Sequence, residues 1–108
     1  MTARKKGQKA QPIERTKMRN AILKQLLQGK ITQGQALRKL RVEVLGISQE
    51  RYCQLVKVSR LTLSEIENDK GNYSVETLNQ IFRPMGLEMG VIPIHKPLLS
   101  ELLTSGEI

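Results

Sequence analysis

The sequence has one cysteine, Cys53, and one histidine, His95. A lone cysteine excludes an intramolecular disulfide, a CxxC redox pair and a cysteine-rich zinc site. A metal site would need carboxylates, whose scatter shows no ligand spacing. No Ser/His/Asp or Cys/His grouping and no glycine-rich phosphate loop is visible, so no catalytic residue, metal or cofactor is expected and the chain does not read as an enzyme. His95, between Ile94 and Lys96, reads as a surface residue. Aromatics make up 3% of residues (Tyr52, Tyr73, Phe82), too few for a platform on which single-stranded bases stack. No apolar run approaches the roughly 18 residues of a membrane span, and the basic start lacks the apolar stretch of a secretion signal. A cytoplasmic protein is the expectation.

What the chain has in excess is positive charge, unevenly placed. The net charge is +8, and residues 1–30 hold nine Lys/Arg against one acid, Glu14, while the remainder balances nine against nine. A basic segment joined to a neutral body fits an arm that follows phosphate, with Arg4, Lys5, Lys6 and Lys9 as its contacts. A solvated tail over residues 1–11 is the alternative, and an anionic membrane surface a less common one. At 108 residues, 39% of them hydrophobic, the chain suits one small domain with a modest core.

Pro12 and Ile13 open a stretch with Met18, Ile22, Leu23, Leu26 and Leu27 at helical spacing, ended by Gly29. A second helix begins at Thr32 with Gln35 three positions on, the spacing of a capping box, and stops at Gly46; Ala36, Leu37, Leu40 and Val44 face its core. Three further starts share one recipe, a serine cap stapled between apolar residues: Ile47, Ser48, Tyr52; Val58, Ser59, Leu63; and Tyr73, Ser74, Leu78. They predict helices over 48–56, 59–68 and 74–83. Cys53 is expected as a small packing residue where two helices meet closely. From Leu87 the pattern changes to period two, through Met89 and Val91 to Pro93, which predicts a strand. A lone strand needs a partner edge, so these residues are expected to pair across a homodimer. A short helix with Leu98, Leu99, Leu102 and Leu103 on one side closes the chain.

The segment "VSRLTLSEIEN" poses the functional question. At about 100° per residue, Leu63 and Ile66 define an inner face, and Leu61 points away from it beside Arg60, Ser64 and Glu65. Such a face is a poor apolar interface but suits base edges. Arginine donates twice to guanine, glutamate accepts from cytosine, serine does either, and leucine packs on a thymine methyl.

The run "GISQERYCQLVKVSRLTLSEIENDKGNYSVETLNQIFRPMGL" resembles the helix-turn-helix of lambda repressor-like, XRE-type DNA-binding proteins over about residues 34–86. The resemblance implies an all-α bundle of about five helices, with helix 59–68 in the major groove of double-stranded DNA. It implies base contacts from Arg60, Leu61, Ser64 and Glu65, and phosphate contacts from Gln49, Ser59, Asn68 and Lys70. Lys57 stands where the family prefers glycine, and Glu65 where a neutral amide is frequent. The continuation "GLEMGVIPI" is similar to HipB-like antitoxins, which repress their own operon and bind a HipA-like kinase toxin. The expected organisation is therefore a basic arm and extra helix over 1–30, the helix-turn-helix domain over 31–86, and a dimerisation strand (Leu87, Met89, Val91) with tail over 87–108. The expected function is a dimeric repressor on a palindromic operator, with an antitoxin role. The alternatives are a stand-alone or phage-type regulator, or a protein or RNA interaction module.

Overall fold

The capping residues do what their spacing predicts. A computed structural model describes residues 12–105, in which Thr32 Oγ1 accepts from the Gln35 N–H at 3.1 Å and Gln35 Oε1 accepts from the Thr32 N–H at 2.9 Å. Ser48, Ser59 and Ser74 each accept, at 3.1 Å, from the N–H three residues on. Each cap is worth about 1 kcal/mol. The helices that follow are α1 (Pro12–Leu27), α2 (Gln33–Lys39, prolonged by a π-helical turn Leu40–Leu45), α3 (Gln49–Val56), α4 (Arg60–Glu67), α5 (Val75–Phe82, prolonged by a 3₁₀ turn Arg83–Met85) and α6 (Lys96–Ser105). No helix among them is long and apolar enough to cross a membrane.

The apolar residues that follow the caps build one core. Tyr52, Leu37, Leu40, Leu63 and Ile81 are fully enclosed, and Ala36, Val56, Ile66 and Phe82 are buried around them. Ile22 brings α1 onto the π turn and α2, with Met18, Leu23 and Leu26 half-buried beside it. Cys53 is buried, and desolvation pushes its thiol above its ordinary range, which suits a packing residue rather than a nucleophile. The Tyr52 hydroxyl donates to the Ile81 carbonyl at 2.6 Å, tying α3 to α5.

One contact sets the angle between α2 and α4. The start of α2 lies against the end of α4 so closely that a Cβ on Gly34 would sit 2.4 Å from the Ile66 carbonyl oxygen and 2.7 Å from that of Glu67. Asp69, just past α4, accepts from the Gly34 N–H at 3.0 Å and from the Thr32 hydroxyl at 2.6 Å. An acid thus meets the positive end of α2 while the negative end of α4 adjoins it.

The segment after Gly86 departs from expectation. Among the described residues no strand forms; residues 87–93 belong to no helix or sheet. The reason is local: the Met89 N–H donates to Asn79 Oδ1 at 2.7 Å, and Leu87 packs on the protein's own core. Period-two spacing here reflects a chain laid along α5, with Leu87 and Met89 half-buried and Val91 fully exposed. The short final helix is present as α6, with Leu99 buried and Leu98, Leu102 and Leu103 exposed.

Gly34→Ala is expected to lower stability by roughly 2 to 3 kcal/mol, the usual range for forced overpacking. Gly90→Ala, with nothing within 4 Å of the added carbon, should stay within about 0.5 kcal/mol of wild type. Urea unfolding of the two variants separates them; equal effects contradict the close approach.

Candidate nucleic-acid interface

Helix α4 is held from behind by apolar and ionic contacts. Leu63 and Ile66 are buried in the core, and Glu67, also buried, receives a forked pair from Arg41: Nε to Oε2 at 2.6 Å and Nη2 to Oε1 at 3.0 Å. Arg41 Nη1 donates onward to the Ile47 carbonyl at 2.8 Å. Gln49, at the start of α3, donates to Glu67 Oε1 at 3.0 Å. This network joins the π turn, α3 and α4 around one carboxylate.

With its inner face so fixed, α4 turns the expected residues outward. Leu61 is 70% exposed, Arg60 is exposed, and Ser64 and Glu65 are half-buried on the flanks. The Tyr73 hydroxyl, from the loop before α5, donates to Glu65 Oε1. That bond pushes the Tyr73 hydroxyl above its ordinary range, so at neutral pH it remains a donor. One Glu65 oxygen is therefore anchored and the other is left as an acceptor.

The expected phosphate contacts are less uniform. The Ser59 hydroxyl is occupied by its cap, accepting from the Thr62 N–H at 3.1 Å and donating to Thr62 Oγ1 at 2.9 Å. Asn68 is exposed but its amide donates to the Ser64 carbonyl at 2.7 Å, closing α4. Gln49 has one amide hydrogen committed to Glu67 and a second left to donate. Lys70 is exposed on the loop after α4. Arg4, Lys5, Lys6 and Lys9 lie outside the described residues. Among the described residues no group of His, Cys, Asp or Glu is gathered that could hold a metal ion.

Two short capped helices joined by Lys57, Val58 and Ser59, the second presenting a polar face with one leucine, make a helix-turn-helix. A family model described as helix-turn-helix matches residues 37–92. The chain belongs to that family. It is one of the XRE-type, lambda repressor-like helix-turn-helix proteins, a family of DNA-binding regulators. The control protein C.MunI of a Mycoplasma species is 37% identical over 60 residues, which is 56% of this chain and 81% of that protein. No solved structure matches the chain.

Several residues that shape this helix-turn-helix carried no assignment in the sequence: Arg41, Glu67, Asp69 and Gln80. Arg41 lies between Leu40 and Val44 on the inner face of its helix, and Glu67 adjoins Ile66, so two opposite charges at core positions were the available signal. Gln80 Nε2 donates to the Val56 carbonyl at 2.7 Å, covering the end of α3. Lys57 closes that helix at φ 60, ψ 47, a left-handed conformation that glycine adopts without penalty. The lysine therefore holds a backbone conformation that costs a residue with a Cβ about 1 to 2 kcal/mol. Lys57→Gly should raise stability by roughly 0.5 to 1 kcal/mol, the relief of left-handed strain less the added chain entropy. A thermal melt showing a loss instead contradicts the assignment of strain.

Proposed function

We propose that the chain is a sequence-specific transcriptional repressor that reads a palindromic operator through α4 as a homodimer. The observation that carries this is the two-faced character of α4: Leu63 is wholly buried, while Leu61, two residues earlier, is 70% exposed. A leucine in water is unfavourable, and a thymine methyl in the major groove relieves it. Arg60 supplies a forked donor for guanine. Glu65, anchored by Tyr73, offers its second oxygen to a cytosine amino group. Ser64 completes the reading face, while Gln49, Asn68 and Lys70 supply donors to phosphate on either side; Ser59 contributes through its cap, by fixing where α4 begins. The basic segment bearing Arg4, Lys5, Lys6 and Lys9 adds sequence-independent attraction.

For the dimer, Val91, Ile92 and Ile94 form an exposed apolar run in place of the strand first expected. Two copies joined there would present α4 to half-sites about 34 to 36 Å apart, or a multiple of that. The similarity to a control protein supports a stand-alone regulator. The antitoxin reading, with a HipA-like kinase as partner, rested on a strand after the last helix, and the described residues form none.

Selection from random duplexes supplies the preferred operator, and titrations then test the face. Arg60→Ala should weaken operator binding by roughly 1 to 3 kcal/mol and relax one base position. An unchanged ratio of operator to random binding would mean that Arg60 reads no base. Glu65→Gln and Tyr73→Phe should both relax a second, shared position. If only Glu65→Gln does so, the Tyr73 bond has no part in the reading; if neither does, Glu65 has none.

A further inference from the structure

Helices α1 and α6 enclose an apolar cleft that takes no part in the α4 face. It has a volume of about 580 Å³, with Leu23, Leu27, Leu99 and Leu103 among its walls. The chain brings these helices close at one end, where a Cβ on Gly29 would lie 3.0 Å from Lys96 Cε, and Leu99 is the buried residue of α6. Beyond that point the cleft opens. Leu27 and Leu103 stay exposed in it, with Leu98 and Leu102 exposed beside it on α6.

Every charged residue that lines the cleft is a lysine: Lys24, Lys30 and Lys96. Apolar walls under a basic rim restrict what can sit there. Phosphate would satisfy the lysines and leave the leucines in water. The α6 helix of a second copy would cover the leucines, but carries Lys96 of its own against Glu101 and so brings no surplus of acid to the rim. Residues 1–11 are excluded by composition, with four basic residues, no acid and no leucine, isoleucine or valine. An acidic amphipathic helix meets both requirements at once, laying leucine-type residues into the cleft and carboxylates along the rim.

We propose that the cleft between α1 and α6 receives an amphipathic helix of a partner protein, apolar along one side and carrying Asp or Glu along its edges. Contacts at Leu27 and Leu103 hold the helix. Lys24, Lys30 and Lys96 select it by charge. No residue of α4 lines the cleft.

The test uses the full chain and two synthetic helical peptides of identical leucine pattern, one with glutamate and one with lysine at the flanking positions, followed by fluorescence anisotropy. The expected result is saturable binding of the acidic peptide, at least roughly tenfold tighter than the basic one and weakened by salt. Leu103→Ser should weaken it, and Lys24→Glu with Lys96→Glu should abolish the preference for acid. All these positions are exposed, so folding is retained and is checked by circular dichroism. Equal binding of both peptides overturns the proposal. So does acidic-peptide binding that survives the double charge reversal, which assigns the attraction to the basic arm. Self-association of the wild-type chain that Leu103→Ser abolishes also overturns it, because the occupant is then a second copy.

Discussion

The buried ion pair between Arg41 and Glu67 is the constraint on which the geometry of α4 depends. Taking both charges out of water costs several kcal/mol each, and their attraction and shared hydrogen bonds do little more than offset this. What the pair contributes is orientation. Glu67 can be satisfied in one place only, where two arginine nitrogens and the Gln49 amide converge on it, and this fixes the rotation of α4 about its own axis. Gly34 fixes the second coordinate by letting the α2 backbone reach the α4 carbonyls. With rotation and distance both set from behind, the four outward side chains present one arrangement rather than several.

The outward face shows the same economy. The side chains of Ser59, Thr62 and Asn68 hold the ends of α4. Their polarity serves the helix first. Arg60 and Leu61 make no such local commitment among the bonds described, and Glu65 makes one, to Tyr73, that positions it without covering it. Under the proposed reading of DNA, affinity and specificity fall to different residues: fixed donors at the margins, readers at the centre.

The parts of the fold most legible in the sequence were those written in local chemistry. Thr32, Ser48, Ser59 and Ser74 begin helices because a side-chain oxygen next to an N–H three residues on is a short-range fact. The inner and outer faces of α4 followed from helical period alone, and so did the exposure of Leu61. What stayed hidden depends on residues far apart in the chain. Glu67 and Arg41 are 26 positions apart, and Asp69 caps a helix that begins more than thirty residues earlier. The alternation at residues 87–93 predicts a strand that does not form, because alternating burial arises wherever a segment lies with one side against the core. Asn79, lying on α5, takes the Met89 N–H that a sheet would have used.

A two-dimensional NMR titration of the full chain with its selected duplex shows directly whether α4 meets the bases. The largest backbone amide shifts are expected at Arg60, Leu61, Ser64 and Glu65, while Leu63, Ile66 and Glu67 broaden little because the core behind them does not move. Maximal shifts on α1 or α6, with α4 unperturbed at saturating duplex, would contradict that expectation.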